Sequence, residues 1–93
     1  MVYKLVFPSL GKVIPCNTAA VPIGRTDLNS PMVSALHAIA RKQGPETKLQ
    51  LEGRNGTCQL IGNQWIRLEK EVVLEAGLRL RFADVECLVE ELV

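Results

Sequence analysis

The chain has 93 residues, 47% of them hydrophobic, and its eleven basic and ten acidic side chains leave a formal net charge of +1. That length sustains one hydrophobic core, and the apolar content is too high for a disordered tail. The well-mixed charge offers no basic stripe to a nucleic acid, and no apolar stretch approaches the roughly 18 residues that span a membrane, so neither partner is expected.

Along the chain, short strands punctuated by turns account for nearly everything. "VYKLVF" (2–7) reads as an opening strand, stopped by Pro8-Ser9 and Gly11. "KVIPC" and "AAVPIG" follow, and Pro15 and Pro22 suggest edge positions because proline donates nothing to a ladder. "SALHAIARK" has helical propensity. Yet Leu36, Ala38 and Ala40 alternate with His37, Ile39 and Arg41, and Gly44-Pro45 ends the run, which favours a strand. "KLQL" and "TCQLI" flank "EGRNG", where Asn55-Gly56 readily supplies the positive φ of a tight connection. "EVVL", "LRLRF" and "ECLVEEL" complete the chain, with Glu75-Ala76-Gly77 read as a hairpin loop. Arg79 and Arg81 alternate with Leu78, Leu80 and Phe82, the pattern of a half-buried strand with its arginines in water. The last segment fits a helical period as well as a strand. Many short strands with regular turns predict an all-β sandwich or barrel.

Cys16, Cys58 and Cys87 are far apart, and neither C-x-x-C nor a histidine pair is present, so no metal site and no cofactor is expected. Reduced thiols in an intracellular protein are the expected state. Cys58 and Cys87 sit in apolar runs, whereas Cys16, beside Pro15, is expected to react first. His37 is the only histidine. Ser34 stands three residues before it with no acidic partner nearby, so the nucleophile–base–orienter set of a hydrolase is missing and no enzyme is expected.

Three islands stand in one order: Ile23-Gly24-Arg25, Ser34-x-x-His37 and Asn55-Gly56-Thr57. Each alone is weak, since a lone arginine, serine or asparagine is usually a surface or turn residue. Together they resemble the forkhead-associated (FHA) family, whose pattern runs G-R, S-R/K-x-H, N-G-T/S. The resemblance covers residues 1–93 as a single FHA domain of a longer protein. It implies an FHA-type β-sandwich of about eleven short strands, with phosphothreonine read by loops at one end. In the family the arginine, serine and asparagine of these islands grip the phosphopeptide. Arg25, Ser34 and Asn55 match those positions, and Arg54 stands where a neighbour of the phosphate often lies. Gly24, His37, Gly56 and Thr57 match positions that shape the loops, the histidine as a brace. A narrower likeness lies in "RFADVECLVEEL", which is similar to the N-terminal domain of the mediator-of-DNA-damage-checkpoint family and its insect counterpart. That likeness implies a homodimer in a nuclear, chromatin-associated protein of the DNA damage response.

Several positions depart from the FHA pattern. Ala35 replaces a phosphate donor, "TDLNSPMV" is a short connection between Arg25 and Ser34, Gly53 stands where serine is common, and Leu78 where aspartate is usual. The short connection threatens to keep Arg25 and Ser34 apart. The expected function is therefore a protein–protein interaction module that homodimerises and has a degenerate phosphothreonine pocket. The alternative is a working reader of phosphothreonine peptides.

Overall fold

The computed structural model describes residues 1–93 and contains ten strands and one short α-helix, besides a 3-10 turn at Pro8–Leu10. In chain order these are β1 (Tyr3–Phe7), β2 (Lys12–Cys16), β3 (Ala20–Ile23), α1 (Arg25–Leu28), β4 (Ala38–Gln43), β5 (Glu46–Leu51), β6 (Thr57–Ile61), β7 (Gln64–Arg67), β8 (Glu71–Val73), β9 (Arg79–Phe82) and β10 (Val85–Glu91). They form two antiparallel sheets, ordered β2-β1-β10-β9-β6-β7 and β3-β4-β5-β8. The predicted β-sandwich is thus observed, with ten strands rather than about eleven.

Period-two burial builds the core. Tyr3, Leu5 and Phe7 of β1, Leu80 and Phe82 of β9, and Val85, Cys87 and Val89 of β10 point inward from the larger sheet. Ile23, Ala38, Ala40 and Leu49 meet them from the smaller one, and Phe7 packs on Phe82 with ring centroids 5.8 Å apart. Each large side chain so enclosed contributes about 1.5–3 kcal/mol. Pro15 and Pro22 lie on the edge strands β2 and β3, as their missing N–H requires.

Four readings of the chain need correction. Residues 34–37 are a loop, and β4 begins only at Ala38; Leu36 is 41% exposed because it lies outside the ladder. Glu75–Gly77 is no hairpin: β8 pairs with β5 and β9 with β10 and β6, so this turn crosses between the sheets. The segment 52–56 also crosses, from β5 to β6, with the expected positive φ at Gly56. Arg81 is half-buried with its Nε enclosed, rather than in water, because it lies over the Trp65 ring. Cys16 is 1% exposed and Cys58 is the half-buried thiol, because Cys16 falls on the inward register of β2. The last segment, left open by its pattern, is a strand paired with β1 and β9. Two elements have no counterpart in the sequence reading: α1, and β7, which is joined to β6 through Gly62-Asn63.

Candidate functional site

The three islands meet at one end of the sandwich. Gly24 follows β3 and precedes α1; its N–H donates to Asp27 Oδ2 at 2.9 Å. A Cβ on Gly24 would collide with the Ala35 carbonyl oxygen, so the close approach of residues 24 and 35 requires glycine. The Arg25 N–H donates to the Ser34 carbonyl at 3.0 Å, and Arg25 Nε donates to the Val33 carbonyl at 2.8 Å. The short connection is taken up by α1 and a tight turn through Ser30, whose Oγ donates to Asp84 Oδ1 at 2.7 Å. It therefore brings Arg25 and Ser34 together rather than keeping them apart.

His37 joins the two loops. Its ring is fully buried; Nδ1 accepts the Ser34 N–H at 3.1 Å and Nε2 lies 2.9 Å from the Gly56 carbonyl. An accepting Nδ1 places the proton on Nε2, which donates to that carbonyl. The backbone of His37 also participates: its N–H donates to Ile23, and its carbonyl accepts the N–H groups of Glu52 and Gly53. Gly53 packs on the imidazole, and a Cβ there would enter the ring. The residue that departs from the family's serine thus leaves room for the histidine. With both nitrogens bound to backbone and no contact to the Ser34 hydroxyl, the ring shapes the loops.

Gly56 takes φ +78°, and its carbonyl accepts from both His37 and the Ala83 N–H at 3.0 Å. Thr57 is buried at the start of β6, where its carbonyl accepts the Leu68 N–H at 2.9 Å and its hydroxyl has no partner.

Arg25, Ser34, Arg54 and Asn55 line one concavity of about 380 Å³, together with Pro31, Met32 and Ala35. Their polar groups are partly engaged. Ser34 Oγ accepts the Arg54 N–H at 3.0 Å, which leaves its own proton to donate outward. Asn55 Nδ2 donates to the Met32 carbonyl at 2.7 Å. No carboxylate lines the concavity, while two guanidinium groups do. Such a surface favours an oxyanion, with Arg25 and Ser34 as donors, Arg54 alongside, and an Ala35 methyl where another donor would stand. Pro31 and Met32 were not singled out from the sequence; their places depend on how the loop after α1 folds back.

No family model matches the sequence, and no curated protein matches it. Solved structures do. A structure of Mycobacterium tuberculosis EmbR in complex with a low-affinity phosphopeptide is 28% identical with a TM-score of 0.80, covering 96% of this chain. The chain spans only 24% of that EmbR chain. A structure described as a structural and functional analysis of phosphothreonine-dependent FHA domain interactions is 23% identical, with a TM-score of 0.82 over 100% of this chain and 99% of the other. The FHA domain of human APLF in complex with an XRCC1 bisphospho peptide is 16% identical, with a TM-score of 0.82 over 99% and 100% of the two chains. The ordered islands, the two sheets and these likenesses agree: the chain has the fold of an FHA domain.

Proposed function

We propose that this FHA-fold chain is a protein–protein interaction module that acts by self-association, with a weakened phosphothreonine pocket. One observation carries the proposal: the outer face of the six-stranded sheet bears an apolar row across its width, broken only by Arg79. Val13 lies opposite Val6, Val6 opposite Leu88, and Leu88 opposite Arg79. Leu60 and Trp65, a pair one step beyond Gln59–Leu80, continue the row. Val13 is 50% exposed and the other apolar members are half-buried. Charges of both signs flank them, with Lys4 bridged to Glu90 at 3.8 Å and Arg81 opposite Glu86. A balanced face complements a second copy turned about a two-fold axis. The molecule measures 31 × 30 × 26 Å, so the face has room for the ~800 Å² per partner of a standard interface. Light scattering at micromolar concentration tests the proposal. Twice the monomer mass is expected for the wild type and monomer mass for Leu88→Glu; a wild-type monomer at all concentrations overturns it.

A phosphothreonine reader is the second reading, favoured by the single concavity shared by Arg25, Ser34, Arg54 and Asn55. The EmbR and APLF structures with phosphopeptides lend it support. Against it stands the donor lost at Ala35: a charge-assisted bond is worth about 1.5–3 kcal/mol, or roughly one to two decades of affinity. An exposed Arg54 returns only about 0–1 kcal/mol. Calorimetry with paired phosphorylated and unphosphorylated peptides discriminates the readings. A phosphate-dependent affinity that Arg25→Ala removes would establish the reader. A nuclear, DNA-damage role rests on the likeness of residues 81–92 alone, and imaging the tagged chain in cells tests it.

A further inference from the structure

The two sheets have four edge strands, and three are blunted. β2 carries Pro15 and β3 carries Pro22, neither of which has an N–H to offer another strand. β8 is only three residues long. The fourth edge differs. β7 reads Gln-Trp-Ile-Arg, has no proline, and its two central side chains are apolar on opposite faces.

The direction of its backbone groups follows from one bond. The Leu68 N–H donates to the Thr57 carbonyl at 2.9 Å, so the even-numbered residues of this strand turn toward β6. Trp65 and Arg67 therefore aim their N–H and C=O groups away from the sheet. On the core side of the sheet, Ile66 is 41% and Ile61 55% exposed in the β6–β7 hairpin. At its β7 end the outer face carries Arg67 and Arg81, with Glu86 opposite Arg81 on β10. Cys58 lies between Arg67 and Arg81, and the Arg81 guanidinium stands 4.6 Å from the Trp65 ring centroid with its Nε unpartnered. Neither arginine joins the chain's ion pairs, Lys4–Glu90 and Lys48–Glu71, although Arg67 Nη2 donates to the Arg54 carbonyl at 3.4 Å.

We propose that the β7 edge is a strand-addition site for an extended segment of another protein in which aliphatic and acidic residues alternate. Main-chain groups of the segment pair with those of Trp65 and Arg67. Its aliphatic side chains cover Ile66 and Ile61, and its carboxylates reach Arg67 and Arg81 on the other face. This site adjoins the concavity at Arg25 only through the Arg67 bond to the Arg54 carbonyl.

The test uses the labelled full chain and a blocked octapeptide of alternating valine and glutamate. Backbone amide resonances of Trp65 and Arg67 are expected to shift and gain exchange protection. Arg67→Pro removes an edge N–H without touching the bonds to β6, and Arg67→Glu reverses the charge; each is expected to weaken binding about tenfold or more. A peptide methylated on alternate backbone nitrogens, offered to the wild type, is expected to lose binding. It serves equally well if Arg67→Pro does not fold. Undiminished binding of the methylated peptide overturns the proposal. So does equal binding of a valine–lysine peptide, or the absence of shifts at Trp65 and Arg67 with millimolar peptide.

Discussion

Replacing His37 by alanine tests the loop architecture most directly. Truncation removes a fully buried ring that stands 5.9 Å from the Phe82 centroid, a loss of about 2–3 kcal/mol for a cavity of that kind. It also takes the acceptor from the Ser34 N–H and one of two donors from the Gly56 carbonyl. The carbonyl keeps the Ala83 N–H, so the orphaned donor dominates this part of the cost, about 1–3 kcal/mol. The sum, about 3–6 kcal/mol, is a large share of the ~5–14 kcal/mol expected for a domain of this size. With a urea slope of about 1–1.5 kcal/mol/M, the unfolding midpoint should fall by about 2–6 M. His37→Leu, which restores most of the volume but neither bond, should recover the packing share and retain the hydrogen-bond cost. A midpoint shift below about 0.5 M for His37→Ala would refute the brace, as would equal losses in the two variants.

The glycines that admit the ring and the loop should be equally sensitive: Gly53→Ala and Gly24→Ala are each expected to cost about 1–3 kcal/mol in the same urea assay, since each new methyl meets an atom that cannot retreat freely. Burial pushes the Cys16 thiol up to about 11 and the Cys87 thiol to about 12, so a thiol reagent on native protein should label Cys58 first; equal rates at all three would contradict the assigned faces. Because the folded values lie above the ordinary 9.0, unfolded thiols ionise first. Stability should accordingly hold below that value and fall as pH rises toward 11–12, a slope that Cys16→Ala/Cys87→Ala should lessen. Trp65→Ala should cost about 0.5–1 kcal/mol beyond its packing through the lost Arg81 stack, measured by a double-mutant cycle with Arg81→Ala.

Local chemistry made much of this fold legible. Alternation in "LRLRF" marked a half-buried strand whose Leu80 and Phe82 are indeed enclosed, "VYKLVF" supplies the opening strand, and Pro15 and Pro22 marked edges because a missing N–H acts wherever the strand lies. The ordered islands pointed to the loops around His37 before any distance was known. Pairing is another matter. Whether Glu75–Gly77 turns back on its own strand or crosses to the other sheet depends on which distant strand offers a free edge, and no local pattern encodes that choice. The burial of Cys16 likewise depended on register, since a shift of one residue exchanges the faces of a strand. The convergence of Arg25 and Ser34 was also decided in three dimensions. Eight intervening residues looked too few only while α1 and the Ser30–Asp84 bond, made across 54 positions of sequence, were out of sight.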